Sequence, residues 1–378
     1  MPKLLMAATV ALTLKSFLLP HAKYMRDQGW TVDGMASGIG ADVACKEAFD
    51  SCFDIPWSRN PFDIRKMACA YKRVLEVVSS GRYDVVHLHT PVAAAVGRLA
   101  LRKIRRSGRV KVVYTAHGFH FYKGAPLLNW LLYYPMERFL SRYTDVLITV
   151  NKEDYHRALT FNAAEVAYIP GIGVDFGKFR NCGADTTAKR RELGIPEDAW
   201  LLLSVGELNK NKNHIAVLRA LSIMRNPAIH YMIAGEGPLH EYLPKKAKEL
   251  DIEGGVHLLG YREDTPELYK VADCFVFPSL REGLPVALME AAVSGLPIIC
   301  SKIRGNTDIA EKYGGSRLFA VRGVPSLLEI LQMEYDKKNK ANTASLPEEI
   351  FSQKAVIEAV APYYIRLRAK RVKNVAYT

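Results

Sequence analysis

The chain lacks paired cysteines at CxxC spacing and lacks any His-Cys cluster. Its six cysteines, Cys45, Cys52, Cys69, Cys182, Cys274 and Cys300, are scattered through 378 residues, which excludes zinc-ligand spacing and reads as reduced thiols. No run of eighteen apolar residues occurs, and Met1–Leu19 has no signal-type cleavage site, so neither a membrane span nor export is expected. No zinc finger, RNP-type aromatic motif or helix-turn-helix pattern accompanies the net charge of +13, so no nucleic-acid partner is expected. The sequence also contains no GxGxxG, no DxD, and no carboxylate pair placed across one bond as in a glycosidase.

What is present is a globular composition, 49% apolar and 24% charged, at a length that suits two domains. The positive charge is uneven: residues 1–180 hold 25 Lys+Arg against 15 Asp+Glu. Such a field attracts a polyanion, and an anionic bilayer surface or a phosphorylated lipid are the remaining kinds.

Short β-branched and leucine-rich runs alternate with amphipathic stretches, the pattern of βαβ units around parallel sheets. Strands are predicted at Lys3–Val10, Trp30–Ala36, Asp84–His89, Val110–Ala116, Asp145–Val150 and Val166–Pro170. A second series is predicted at Trp200–Gly206, Ile229–Gly235, Gly255–Gly260, Cys274–Pro278 and Leu296–Ser301. Gly/Pro punctuation from Pro170 to Asp175, then a polar stretch, marks the connection. The expected organisation is an α/β chain with one doubly wound domain over 1–175 and a second over 183–354. A basic helix over about 355–373 is expected to pack back on the first.

The most informative stretch runs from Pro278 through Glu282, Gly283, Leu284 and Pro285 to Glu290 and Ala292. A strand ends in a glycine-containing loop that feeds a helix, leaving first-turn N–H groups to face a diphosphate. Glu282 in the loop and Glu290 about two turns into the helix are candidates to hold a sugar hydroxyl and a ribose. For an arbitrary pair, helix capping and a solvated face would be the commoner roles.

The flanking residues resemble glycosyltransferase family 4, where Glu-x7-Glu preceded by Pro-Ser and followed by Ala marks the donor site. Ala234-Gly235-Glu236-Gly237-Pro238 is similar to that family's Ala-Gly-acid-Gly-Pro turn, and Leu259-Gly260-Tyr261 to its base-flanking loop. Pro297, Gly305, Asn306 and Asp308 fall where the family has its next strand and loop. His87-Leu88-His89-Thr90-Pro91 and Tyr114-Thr115-Ala116-His117-Gly118-Phe119-His120 resemble members that assemble bacterial capsules and exopolysaccharides. The likeness spans roughly residues 3–365 and implies a GT-B fold, two facing Rossmann-like domains with a deep inter-domain cleft.

It further implies that His117 contacts the transferred sugar, with His89 or His120 orienting a loop. Lys212 fits the lysine that neutralises the leaving diphosphate. Glu207 stands where arginine is usual, so Lys210 or a backbone amide is the expected substitute. The segment Ala11–Phe17 is read as an acceptor-side loop with Thr13 and Lys15 as contacts. Leu127–Arg142 is apolar on nearly every side and lies near the cluster Arg98, Arg102, Lys103, Arg105, Arg106, Arg109 and Lys111. With Trp130 at the helix and Arg102 and Arg106 in the cluster, a membrane-facing side is expected. A buried crossover helix with a solvated basic face is the alternative.

The resulting expectation is a retaining transferase that moves a hexose or N-acetylhexosamine from a nucleoside-diphosphate sugar, with UDP the expected nucleotide. The acceptor is a glycan, expected to be polyprenyl-diphosphate-linked, in surface polysaccharide biosynthesis. The enzyme is expected in the cytoplasm, peripheral at the inner face of the cell membrane, with no cofactor and no metal. The alternatives are a nucleotide-sugar epimerase of the same architecture and a non-catalytic sugar-nucleotide or glycan-binding protein.

Overall fold

The computed structural model describes residues 1–57, 63–337 and 344–376. They form two compact units, Met1–Ile172 joined by the helix from Gln353, and Gly173–Ser352.

The first unit contains β1 (Lys3–Val10), β2 (Thr31–Ser37), β3 (Cys52–Asp54), β4 (Val85–His89), β5 (Lys111–Ala116), β6 (Val146–Thr149) and β7 (Val166–Tyr168), all parallel, in the order β3-β2-β1-β4-β5-β6-β7. The second contains β8 (Trp200–Val205), β9 (Ile229–Ala234), β10 (Val256–Gly260), β11 (Cys274–Phe277), β12 (Ile298–Ser301) and β13 (Ser316–Phe319), in the order β10-β9-β8-β11-β12-β13. Both sheets wind outward from their first strand in two directions, the doubly wound arrangement. The central strands are buried on both faces, which is why they read as continuous apolar runs such as Leu4-Leu5-Met6 and Leu201-Leu202-Leu203.

Two short strands, Cys52–Asp54 and Ser316–Phe319, extend the predicted set at the sheet edges. The stretch Ala11–Phe17, expected as a loop, is instead a helix beginning directly after β1. Its Ala, Leu and Lys are strong helix formers and it contains no glycine to break the run.

The helix from Gln353 packs Val356, Val360, Ala361, Tyr364 and Leu367 against Leu4, Met6 and Val113 of the first sheet. This 3–4 residue spacing keeps one face of the helix on the core. Arg371 adds an ion pair to Asp84, and Arg366 one to Glu165. Among the described residues, no helix is long and apolar enough to cross a membrane.

Candidate functional site

In a doubly wound sheet, the loops after the two strands flanking the winding point lie side by side. In the second unit those strands are β8 and β11. The β8 loop carries Lys212 and the β11 loop carries Glu282, and their side chains meet as an ion pair of 2.7 Å, each mostly buried. The Lys212 ammonium also lies 4.6 Å from the centre of the Phe277 ring, which limits the directions it can take. The two loops are tied together by backbone: Leu280 N–H donates to Asn211 O, 2.8 Å, and Asn211 Nδ2 donates to Arg281 O, 2.9 Å.

The glycines hold this site by close approach. A Cβ on Gly235 would lie 2.0 Å from Gly206 O, and one on Gly305, whose φ is +77°, would lie 2.1 Å from Gly283 O. Any side chain at either position therefore pushes two loops of the site apart. Gly283 and Leu284 are half-buried, and Pro285 is the residue before the helix Val286–Val293. The first-turn amides of that helix have no intrahelical acceptor, so positive backbone potential faces the loop.

Glu290 is the fifth residue of that helix, closer to its start than the expected two turns. Its Oε2 accepts a hydrogen bond from Tyr269 O–H at 3.0 Å. Burial raises its pKa above the usual carboxylate value, while the Tyr269 hydrogen bond and the charge of Lys178 oppose that shift. Lys210 and Glu207 are exposed, with Glu207 accepting from Asn209 Nδ2, 2.8 Å. Tyr261 is 70% exposed, a flat ring available at the end of β10.

Arg304 escaped the sequence reading. It is buried, and its Nε donates to Glu282 O at 3.1 Å, fixing the backbone of the loop. Its only sequence signal was its place just before Gly305.

In the first unit the same geometry puts the ends of β1, β4 and β5 together. Thr9 N–H and Thr9 Oγ1 bond to Thr90 Oγ1 at 3.0 and 2.7 Å, and Thr90 takes the unusual φ of +64°. Beside it, His89 Nδ1 lies 3.1 Å from His117 Nε2. His87 is bound on both sides, to Tyr364 O–H through Nδ1 (2.5 Å) and to Thr115 Oγ1 through Nε2 (2.7 Å). Burial lowers the pKa of His117 to about 4, and of His21, with a further contribution from His117, also to about 4. Burial and the neighbouring imidazoles hold His87 and His89 well below the ordinary value. The cluster is therefore neutral near pH 7. His120 stands apart, stacked on Tyr133 at 4.7 Å.

Thr13 is half-buried on the helix after β1, and Lys15 is exposed, 3.8 Å from Asp42. The basic cluster divides. Arg98 is fully buried in an ion pair of 2.8 Å with Glu137 and does not face solvent, and Arg105 and Lys111 pair with Asp145. Arg102 is half-buried, donating to Tyr71 O–H and Leu99 O, whereas Arg106 is exposed.

The helix Leu127–Ser141 has a distinct outer face. Trp130, expected on the membrane side, is half-buried against Phe121 and Tyr134, with Arg157 4.7 Å over its ring. Leu127, Leu128, Leu131, Leu132, Met136 and Phe139 are exposed instead, Leu127 by 73% and Leu131 by 64%.

Comparison with known proteins adds to this geometry. Residues 17–175 match the family described as Glycosyltransferase Family 4, and residues 185–331 the family described as Glycosyl transferases group 1. The Bacillus subtilis (strain 168) protein EpsD, which carries a glycosyltransferase name, is 39% identical over 85% of this chain and 86% of its own. An Escherichia coli enzyme, UDP-Gal:alpha-D-GlcNAc-diphosphoundecaprenol alpha-1,3-galactosyltransferase, is 30% identical over 73% of this chain and 71% of its own. Among solved structures, sucrose-phosphate synthase of Thermosynechococcus elongatus aligns over 98% of this chain and all of its own, with TM-score 0.79 and 16% identity. Anabaena HepE, solved in complex with UDP-glucose, aligns over 100% of both chains with TM-score 0.72 and 17% identity.

Proposed function

Because this chain belongs to glycosyltransferase family 4 and is a glycosyltransferase of the GT-B fold, we propose that it transfers a hexose or N-acetylhexosamine from a UDP-sugar to a polyprenyl-diphosphate-linked glycan, with retention of anomeric configuration, in surface polysaccharide biosynthesis. The observation that carries this reading is the Lys212–Glu282 pair, set beside free helix amides on loops that glycine contacts hold together. A diphosphate takes Lys212 as its counterion and the first-turn amides as donors. That exchange releases the Glu282 carboxylate to accept from a sugar hydroxyl. Glu290, held by Tyr269, binds the ribose, and Tyr261 offers its ring to the base.

His117 serves the transferred sugar as a neutral hydrogen-bonding group. The leaving phosphate oxygen takes the proton of the attacking acceptor hydroxyl, so no protein nucleophile is needed. Lys212 and the helix N-terminus supply the positive potential the leaving group requires, and the proposal includes no metal. The E. coli relative's name, with UDP-Gal as donor and a diphosphoundecaprenol-linked acceptor, supports both halves of the substrate assignment, and the HepE complex supports the uridine nucleotide.

A lipid-linked acceptor places the enzyme at the inner face of the cell membrane. The exposed leucines of Leu127–Ser141, flanked by exposed Arg138 and Arg142, support a peripheral association with anionic lipid. In vesicle sedimentation, binding should weaken with salt and weaken further in Leu131→Glu/Leu132→Glu. Absence of salt-sensitive binding removes the membrane part of the proposal.

The direct test is a thermal-shift screen of UDP-, GDP- and ADP-sugars, followed by transfer from the stabilising donor to GlcNAc-diphosphoundecaprenol. A UDP-sugar at a hundred times its Kd stabilises by about 2.7 kcal/mol. Stabilisation by GDP- or ADP-sugars alone overturns the uridine assignment.

A further inference from the structure

Two neutral imidazoles that share one hydrogen bond must agree on which of them carries the proton. His89 Nδ1 and His117 Nε2 are 3.1 Å apart and their rings are stacked, with centres 5.4 Å apart. Only two arrangements exist. Either His89 Nδ1–H donates to a bare His117 Nε2, or His117 Nε2–H donates to a bare His89 Nδ1.

The far side of His89 separates them. His89 is 2% exposed, and its Nε2 is buried with no hydrogen-bond partner among the described residues. Its nearest ring neighbour, His87, 4.0 Å away between centres, already spends both nitrogens on Tyr364 and Thr115. In the second arrangement His89 must carry its proton on Nε2, an N–H aimed into a space with no acceptor. In the first arrangement that nitrogen is bare, and the one N–H of the ring is satisfied. Orphaned buried N–H groups are the rarer kind of unsatisfied group, so the first arrangement is favoured.

We infer that His89 is a positioning residue which donates through Nδ1–H to His117 Nε2 and so fixes His117 as the Nδ1–H tautomer, a hydrogen-bond donor toward the transferred sugar. His117 Nδ1 makes no hydrogen bond to another described residue and is the nitrogen left for a ligand. A ring in this state donates to a sugar oxygen and does not accept from a sugar hydroxyl. The functional half of this inference rests on the proposed contact between His117 and the sugar; the tautomer half does not.

The experiment is long-range ¹H–¹⁵N correlation spectroscopy of the full chain labelled at histidine, at pH 7.5, on the wild type, His89→Asn and His89→Leu. An asparagine amide nitrogen falls near the position of a histidine Nδ1 and keeps the donor; leucine removes it. The expected result is the Nδ1–H pattern for His117 in the wild type and in His89→Asn, and the Nε2–H pattern in His89→Leu. In the transfer assay, His89→Leu should lose about tenfold in kcat with little change in donor KM, and His89→Asn should recover most of the loss. An Nε2–H pattern for His117 in the wild type overturns the inference. So does an unchanged His117 pattern in His89→Leu. If that variant does not fold, the wild-type spectrum still decides the tautomer and His89→Asn the rescue. Full transfer by His117→Ala alongside the expected spectra removes the sugar contact and leaves the tautomer assignment standing.

Discussion

The two strand-end clusters are built on the same topology and opposite electrostatics. At the top of β8 and β11, Lys212 and Glu282 are ionised partners on loops rich in backbone donors. At the top of β1, β4 and β5, the polar groups are imidazoles that burial keeps uncharged. A charged site matches an anion whose charge grows as a bond breaks, and a neutral site matches hydroxyls whose charge does not change. On the proposed reading, this difference lets one fold, used twice in a chain, serve a diphosphate in one copy and carbohydrate in the other.

The largest expected effect on the charged side comes from Lys212→Met, which removes the proposed diphosphate counterion. Turnover should fall by about 10²–10³, the usual loss when one transition-state donor is removed. Equal turnover in steady-state kinetics would erase the contrast between the clusters. Smaller losses, at least about tenfold or 1.4 kcal/mol of transition-state stabilisation, are expected for Glu282→Ala and His117→Ala.

Acid should separate the two units. His21 and His117 have pKa values near 4 against about 6.5 in an unfolded chain, and His87 and His89 lie low as well. Between those values the unfolded chain binds more protons, so stability is complete above about pH 6.5 and declines as pH falls toward 4. The slope approaches about 1.4 kcal/mol per pH unit for each such histidine. In the second unit His214 is depressed comparably, to about 3, whereas His230 and His257 are lowered without so large a shift. Hydrogen exchange at pH 5 against pH 7.5 should therefore show greater loss of protection in the first unit. Equal loss in both would contradict the neutral-cluster description.

Arg98 sharpens a different aspect of the comparison, because the first unit also buries an ion pair that is not part of either cluster. Arg98→Leu removes the counter-charge of buried Glu137 and leaves it, among the described residues, only the 3.5 Å hydrogen bond from Tyr114 O–H, so it should destabilise by about 3–5 kcal/mol in denaturant titration.

Much of this was legible in the sequence, for identifiable reasons. Central strands buried on both faces announce themselves by unbroken apolar runs, whereas Cys52–Asp54 and Ser316–Phe319 are too short and too mixed to stand out. The loop of Glu282 was readable because glycine and proline punctuate it. The ion pair with Lys212 was not, since 70 residues separate the partners and only the winding of the sheet brings them together. Arg98 looked like part of a basic surface stripe, but helical position turns it inward, and its counter-charge Glu137 lies on a different helix. Trp130 shows the same limit: an apolar helix with few charges gives no sign of which face meets the core.

The central claim is that the Lys212 loop and the helix after Glu282 bind the nucleotide diphosphate while the histidine cluster does not. Calorimetric titration of UDP into the wild type, Lys212→Met and His117→Ala tests it directly. The account predicts at least tenfold weaker UDP binding in Lys212→Met and wild-type affinity in His117→Ala; wild-type affinity in Lys212→Met would contradict it.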